Sequence, residues 1–229
     1  MRPRPFPAVA LAAVAAAAAL LAGCDVQVRL DGGPSTSAGP LAPPAAIGDL
    51  TVAPESHQGS YERDAFGQRW KDVDRNGCGQ RDDVLARDLT GVQRRNRCVV
   101  VAGTLVDPYT GARVTFVKAD AEKVQIDHRV ALAEAWRSGA WQWTAARREV
   151  FANDLRNLAA SAGSVNQGKG DDDAARWLPV GPARQCTFAR QVIAVKKAYA
   201  LAVDRQEATA LRRALGGCPP SPKPSPTTP

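Results

Sequence analysis

Four cysteines downstream of an apolar leader are the feature that most restricts how this chain can fold: Cys78, Cys98, Cys186 and Cys218. An even set of cysteines in an exported protein is typical of disulfide bonds. Of the three possible pairings, we favour Cys78 with Cys98 and Cys186 with Cys218, because each closes a modest local loop around one structural unit. A zinc site is the alternative, but the sequence has no C-x-x-C spacing to support it.

Export itself is predicted from the first residues, “MRPRPFPAVALAAVAAAAALLAGC”. Two arginines, an alanine-rich apolar run and a series of small residues are the layout of a secretory signal, and the run is too short for a stable spanning helix. The ending “LLAGC” resembles a bacterial lipobox, which predicts a signal peptide over residues 1–23 and a lipid on Cys24. The chain would then be a lipoprotein at the extracellular face of the membrane. Cleavage of an ordinary signal near Ala22 or Gly23 is the alternative and would give a secreted protein.

Composition divides the rest of the chain into three parts. Residues 24–60 include “DGGPSTSAGPLAPPAA” and contain few large apolar residues, so we expect them to form a tether. The proline-rich tail of residues 219–229 is expected to be disordered for the same reason. Residues 61–218 are long enough to bury one ordinary core, so we predict a single globular domain there.

Periodicity within this domain predicts an α+β fold with a small antiparallel sheet. “CVVVAGTLVDPYTGARVTFVK” contains two β-branched runs around a turn, which is typical of a hairpin. Apolar spacing and helix-stop signals predict helices in “RDDVLARDL”, “RVALAEAWRSG” and “TAARREVFAND”. Further helices are expected near 171–177, with three aspartates at its start, and as a pair from about 184 to 215.

“QIDHRV” places Asp127 beside His128 in a chain that has only two histidines. No G-x-S-x-G occurs and the cysteines are expected to be paired, so a histidine here would activate water and not a side-chain nucleophile. Hydrolysis of a phosphodiester by water calls for a metal ion, to which Asp127 can supply an oxygen ligand. Because adjacent side chains in a strand point to opposite faces, the pair is expected at a strand end.

The residues after this pair carry a resemblance to a known family. Asp-His is followed by “NDLRNL” and then by “VNQGKG”, a succession that resembles the HNH endonuclease superfamily. The blocks “YERDAFGQRWKDVDRNGCGQRDDVLARDL”, “DPYTG” and “DHRVALAEAWRSGA” are similar to its secreted or restriction-associated proteins of the domain-of-unknown-function 1524 group. The resemblance covers residues 61–177. It implies an endonuclease with a ββα-metal core, the HNH or His-Me finger arrangement, and additional helices.

The same resemblance implies a role for each polar residue of the motif. Asp127 takes the place of the first metal ligand and His128 that of the general base. Asn157 takes the place of the asparagine that holds the imidazole by a hydrogen bond, with Asn153 as its rival. Asn166, expected at a helix start, takes the place of the second metal ligand, where many HNH nucleases have histidine. Two oxygen ligands favour one Mg²⁺ or Mn²⁺ ion over zinc or nickel.

Charge gives weaker support for nucleic acid as the substrate. The chain carries a net charge of +7, and loss of the two leader arginines leaves +5 (7 − 2). Arginine forks suit phosphate groups, and Lys169 and Arg81 lie inside the matched blocks, so both are candidate substrate contacts. No reading helix or set of stacked aromatic residues is recognisable, which indicates low sequence specificity. We expect a monomer that acts on DNA in preference to RNA and contacts the membrane only through its lipid.

A second motif, “DVDRNGCGQRDD”, follows the spacing of an EF-hand calcium loop. Its matching positions are Asp72, Asp74, Asn76, Gly77 and Asp83. Aspartate closes the loop where glutamate is usual, the cysteine is expected in a disulfide, and the preceding segment is a weak helix. We therefore interpret the stretch mainly as a disulfide-braced turn, with calcium binding as the alternative.

A different class of function stays open from sequence. The chain could be a non-catalytic surface lipoprotein that binds nucleic acid or a protein partner, with calcium held through residues 72–83. A shared fold does not guarantee a shared activity. Incubation with plasmid and divalent metal separates this alternative from the nuclease.

Overall fold

The computed structural model describes residues 47–218, and every element below belongs to that range. The predicted signal peptide, Cys24, most of the predicted tether and the tail lie outside the described residues.

The described chain confirms a mixed α+β fold. Its strands are β1 (Leu89–Arg94), β2 (Val100–Val106), β3 (Arg113–Val117), β4 (Val124–His128) and β5 (Leu158–Ala162). Its α-helices are α1 (Gln80–Asp88), α2 (Leu132–Arg137), α3 (Ala145–Ala152), α4 (Gly163–Lys169), α5 (Pro182–Tyr199) and α6 (Arg205–Gly216). Short 3-10 segments cover Ile47–Asp49, Gln58–Ser60, Arg63–Phe66, Lys118–Lys123 and Ala140–Gln142.

Strands β1, β2 and β3 form one antiparallel sheet in that order, which confirms the predicted hairpin. The hairpin turn is organised by the buried carboxylate of Asp107, whose Oδ1 accepts a hydrogen bond from the backbone N–H of Tyr109 at 3.0 Å. Gly111 completes the turn with a φ of 80°, a conformation that favours glycine. The other oxygen of Asp107 accepts hydrogen bonds from Ser161 Oγ and the N–H of Ala162, at the end of β5. The turn is thereby joined to the second sheet.

Strands β4 and β5 form that second sheet, and α4 follows β5 directly. The strands pair antiparallel with Asp127 opposite Ala159 and His128 opposite Leu158. Gly163 begins α4 where a β-carbon would lie 2.1 Å from the carbonyl oxygen of Glu122, so only glycine fits this tight junction. The resulting strand-strand-helix unit has His128 as the last residue of β4, as expected from sequence.

The expected helix at 171–177 is wrong. Residues 171–177 form turns, with the Asp173 carboxylate accepting the N–H of Ala175 at 2.8 Å, and Pro179 disfavours helix shortly afterwards. “LAASA” is a buried strand although alanine favours helix, because pairing with β4 satisfies its backbone. Tertiary contacts therefore override local propensity here.

The predicted domain boundary at residue 61 is too late. Leu50 is buried in the helical core, which is built around α5 and α6. The backbone N–H of Ala53 donates to the carbonyl of Val203 at 2.9 Å, and that of Ser56 donates to Arg137 at 3.1 Å. The buried side chain of Leu50 and the backbone hydrogen bonds of Ala53 and Ser56 attach residues 50–56 to the domain, although the preceding sequence is rich in proline.

Both favoured disulfides are present. Cys78 and Cys98 join the loop before α1 to the connection between β1 and β2, with their Cα atoms 5.2 Å apart. Cys186 in α5 and Cys218 after α6 fasten the helical pair, with Cα atoms 5.1 Å apart. Each bond therefore closes one structural unit, as the sequence indicated.

Candidate active site

The strand-strand-helix unit brings three of the predicted site residues to one cleft. Asp127 and His128 reach it from the end of β4, and Asn166 reaches it from α4. The cleft has a volume of about 590 Å³, and its lining also includes Tyr61 and Arg63. The chain bends directly after His128, which allows two adjacent side chains to serve one site.

His128 is held as a neutral imidazole. Its Nε2 lies 2.7 Å from the carbonyl oxygen of Ala152, which can only accept, so Nε2 carries the proton and Nδ1 is bare. Burial lowers the pKa of His128 to about 4 against an ordinary 6.5, so the ring is uncharged at neutral pH. The imidazole also lines a small cavity of about 40 Å³ with Trp70, large enough for a water molecule.

Asp127 is fixed by two buried partners. The hydroxyl of Tyr109 donates to its Oδ2 at 2.5 Å, and Lys169 Nζ donates to its Oδ1 at 3.0 Å. Lys169 also donates to the carbonyl oxygen of His128 at 2.8 Å, and its side chain is 0% exposed. Lys169 therefore does not reach out to substrate as predicted, because its ammonium is fully engaged in holding the Asp-His pair. Burial and the Asp127 charge raise the pKa of Tyr109 well above its usual value, so its phenol keeps the donated proton.

Asn157 holds the backbone after His128 and makes no hydrogen bond to the imidazole. Its Oδ1 accepts the N–H of Val130 at 2.9 Å, and its Nδ2 donates to the carbonyl of the same residue at 3.0 Å. The predicted contact is wrong because the Ala152 carbonyl already occupies Nε2. Asn157 therefore shapes the bend that follows the base.

Asn166 faces the cleft from the middle of α4 and not from its start. Its Nδ2 donates to Gln125 Oε1 at 2.8 Å, which fixes the amide and leaves its oxygen as the atom available to a ligand. Asp127 and Asn166 thus present oxygen atoms to the same cleft. Within residues 47–218 no cluster of three or more His, Cys, Asp or Glu side chains is placed to hold a metal ion. An ion here would have these two protein ligands and would take the rest from water and phosphate, a pattern that Mg²⁺ accepts.

Arg81 lies away from the cleft, contrary to its predicted role. Its guanidinium donates to the carbonyl oxygens of Ala121 and Val124, at 3.3 and 3.0 Å. These carbonyls lie just before and at the start of β4, so Arg81 anchors the strand at the end remote from His128. The fork geometry suits two backbone oxygens as well as it suits a phosphate, and sequence alone did not separate the two uses.

The calcium-loop alternative gains no support from the described residues. Asp72 accepts hydrogen bonds from the N–H groups of Asn76 and Gly77, at 3.1 and 2.8 Å. Asn76 Oδ1 accepts the N–H of Cys78 at 2.7 Å. These bonds, with the disulfide, are those of a braced turn, and no cluster of three or more His, Cys, Asp or Glu side chains in residues 47–218 is placed to hold a metal ion.

Comparison with known proteins assigns the chain to a family. Residues 79–214, more than half of the chain, match the family described as GmrSD restriction endonucleases, C-terminal domain. The chain belongs to this family. A relative from Arthroderma benhamiae, named only as an uncharacterized secreted protein, is 41% identical over 174 residues, which cover 75% of this chain and 82% of the relative. No solved structure matches the chain.

The GmrSD C-terminal domain supplies most of the site but not all of it. Asp127, His128 and Asn166 lie inside the matched range, whereas Tyr61 and Arg63 precede it. Sequence reasoning recognised the block around them but singled out neither residue. With 30 lysines and arginines in the chain, nothing in composition distinguishes Arg63 from a solvated surface charge. None of the helices in the described range is both long enough and apolar enough to span a membrane.

Proposed function

We propose that this protein is a secreted, lipid-anchored endonuclease of the HNH type that hydrolyses phosphodiester bonds of DNA with low sequence specificity. The observation that carries the proposal is a neutral imidazole, His128, at the wall of a cleft shared with Asp127 and Asn166. Membership of a restriction-endonuclease family supports a nucleic-acid substrate. We infer from this assignment that the protein acts as a monomer.

His128 is suited to accept a proton from water. Its Nδ1 has no protein hydrogen-bond partner within residues 47–218, while Nε2–H stays on the Ala152 carbonyl. As the water oxygen bonds to phosphorus and the sugar oxygen departs, the water proton passes to Nδ1, and the leaving oxygen takes a proton from solvent. The neighbouring Asp127 carboxylate stabilises the imidazolium that forms, and Lys169 keeps that carboxylate in position.

Asp127 and Asn166 are the residues that would hold one Mg²⁺ or Mn²⁺ ion. Each oxygen of Asp127 accepts a single hydrogen bond, so the carboxylate retains lone pairs for an ion. When bound, the metal would neutralise charge on the phosphate and on the leaving oxygen. Both ligands are hard oxygen donors, which favours these ions over zinc or nickel.

Plasmid cleavage tests the activity. The purified full chain, incubated with supercoiled plasmid in Mg²⁺, in Mn²⁺ or in EDTA, should cut only when metal is present. His128→Ala should slow cleavage by about a hundred- to ten-thousandfold, the usual contribution of a general base. His57→Ala replaces the other histidine, which lies outside the cleft, and should cut normally. A His128→Ala protein with the wild-type rate would exclude His128 as the base, and a wild-type protein that never cuts would favour the non-catalytic binding alternative.

Calorimetric titration tests the metal ligands independently of cleavage. Asp127→Asn and Asn166→Ala should each weaken Mn²⁺ binding, with the larger loss for Asp127 because its ligand is charged. Asn157→Ala is the control, since within residues 47–218 the Asn157 side chain hydrogen-bonds only to the backbone of Val130. Loss of Mn²⁺ binding in Asn157→Ala with full binding in Asn166→Ala would exchange the roles of the two asparagines.

Export and anchoring are supported by the leader and by the two disulfides, and the relative with a secreted name agrees with export. Replacing Cys24 by alanine should move the protein from the detergent-extracted membrane fraction to the medium. A wild-type protein found only in the medium would rule out the lipid anchor and leave secretion intact.

A further inference from the structure

Part of the cleft lining belongs to a segment that precedes the matched family domain. Tyr61 and Arg63 line the cleft, yet the family match begins at residue 79. Arg63 also lines the small cavity beside His128, so it lines both of the spaces that the imidazole borders. The segment is therefore part of the site although the family description does not include it.

This segment is attached rigidly to α3. Buried Asn153 donates from Nδ2 to the carbonyl of Gln68 at 3.0 Å and accepts the N–H of Lys71 on Oδ1 at the same distance. Arg148 Nε donates to the carbonyl of Ala65 at 2.9 Å. These hydrogen bonds fix the backbone that directly follows Arg63.

Among residues 47–218, one cation that lines the cleft has no acidic counter-ion. Asp127 is paired with Lys169 at 3.0 Å, and Asp171 is paired with Arg137 at 2.7 Å. Arg63 makes no ion pair within residues 47–218, and its charge lies close enough to the Tyr61 phenol to oppose the rise in the pKa of Tyr61 that burial causes. The remaining positive charge lies next to the base, where an anionic ligand would be attracted.

We propose that Arg63 binds the scissile phosphate of the substrate, so that the segment ahead of the family domain completes the active site. This inference rests on the proposed nuclease function. A guanidinium presents a planar fork of donors that matches two phosphate oxygens, which a lysine ammonium cannot reproduce. The side chain is exposed, so its replacement leaves the core untouched.

Two measurements test the role of Arg63. Single-turnover cleavage of a fluorescein-labelled duplex should slow by about a hundred- to a thousandfold in Arg63→Ala, the effect of removing one donor to a developing oxyanion, and by less in Arg63→Lys. Anisotropy titration of the same duplex, with Arg63→Ala added to a His128→Ala background, should show a dissociation constant about tenfold larger. The slope of the logarithm of the binding constant against the logarithm of salt concentration should become shallower by about one. Free guanidinium added at millimolar concentration should restore part of the cleavage by Arg63→Ala, because it fills the space that the side chain leaves.

Arg75→Ala is the matched control, because Arg75 is an exposed arginine that also precedes the matched family range and lines neither the cleft nor the small cavity. It should retain wild-type cleavage and binding. Wild-type cleavage and binding by Arg63→Ala, or an equal loss in Arg75→Ala, would overturn the proposal while leaving the nuclease function in place. If the wild type binds duplex but never cuts it, weaker binding by Arg63→Ala still supports a phosphate site, and unchanged binding overturns it.

Discussion

Two buried lysines, Lys169 and Lys196, show how the same chemistry serves different purposes in two regions of this protein. Lys169 in α4 pairs with the single carboxylate of Asp127, and the pair forms part of the wall of an open cleft. Lys196 in α5 lies between Glu134 at 2.5 Å and Glu207 at 2.6 Å, and none of the three residues lines the cleft. Both lysine side chains are 0% exposed. The difference is access: the first cluster can act on a ligand, whereas the second joins α2, α5 and α6.

The two clusters also differ in net charge. One ammonium balances one carboxylate at Asp127, but at Lys196 it faces two, so full ionisation would bury an excess negative charge. Burial and the nearby Glu134 charge raise the pKa of Glu207 to about 8, and burial raises the pKa of Glu134. The helical cluster therefore retains a proton at neutral pH, while His128 beside the cleft has lost its own.

The largest expected effect is on stability in the helical region. Lys196→Met should lower the free energy of unfolding by about 3 to 5 kcal/mol in urea titrations, because it leaves two buried carboxylates without their cation. Lys197→Met is the control: the next residue in α5 pairs with Asp49 at the surface and should cost at most about 1 kcal/mol. Replacing Glu134, Lys196 and Glu207 together by methionine should recover most of the loss. Equal stability of the two single variants would mean that the buried cluster does not hold the helices together.

Removal of each disulfide in turn compares the stability that it gives to its region, since Cys78–Cys98 lies beside the three-stranded sheet and Cys186–Cys218 lies in the α5–α6 pair. Cys186→Ser with Cys218→Ser, or Cys78→Ser with Cys98→Ser, should each cost about 2 to 4 kcal/mol of unfolding free energy. The helical disulfide spans 32 residues against 20, so its loss should cost more by about 0.4 kcal/mol on the loop-entropy relation. Guanidinium unfolding of both double variants measures the order. A reversed order would show that packing around the bonds, and not loop length, sets their contributions.

Lys169→Met should affect cleavage in the proposed reaction more than stability. The variant removes the hydrogen bonds that hold Asp127 and the His128 carbonyl. Because a displacement of about 1 Å can slow a reaction about a hundredfold, the rate of single-turnover cleavage should fall by about that factor. Its unfolding free energy should drop less than that of Lys196→Met, because water in the cleft can solvate Asp127. The reverse pattern, normal cleavage with a large loss of stability, would make Lys169 a purely structural residue.

The smallest expected effect is a pH slope. Native Glu207 has a raised pKa and keeps its proton more tightly than in the unfolded chain, so stability should fall as pH rises from about 4.5 toward about 8, by at most about 1.4 kcal/mol per unit. His128 gives the opposite slope, which fades above pH 6.5 as the unfolded chain loses its extra proton. Urea titrations of the wild type and of Glu207→Gln between pH 6.5 and 8 share this His128 contribution, so their difference isolates the helical cluster, whose charged neighbours are Glu134, Lys196 and Asp173. Glu207→Gln should flatten the slope, and an unchanged slope would exclude Glu207 as its source.

Local patterns in the sequence were sufficient to predict the elements whose stabilising contacts are made between residues close together in the chain. The hairpin over β2 and β3, helix α1, and the α5–α6 pair were each predicted from periodicity and turn residues. The position of His128 at a strand end followed from the alternation of side chains in a strand, and the disulfide pairing followed from loop length. In each of these cases the determining interactions lie close together in the chain.

Tertiary structure decided the rest, because the partners concerned are far apart in sequence. Ala152 is 24 residues from His128, and it took the hydrogen bond that Asn157 was expected to make. Lys169 is 42 residues from Asp127, and burial turned it from a substrate contact into a positioning residue. Arg81 is 43 residues from the carbonyl of Val124 that engages its fork. Sequence patterns were enough to indicate which residue types could form a site. Which atoms form hydrogen bonds with one another depended on packing, because a buried polar group needs a partner and the fold brings that partner from a distant segment.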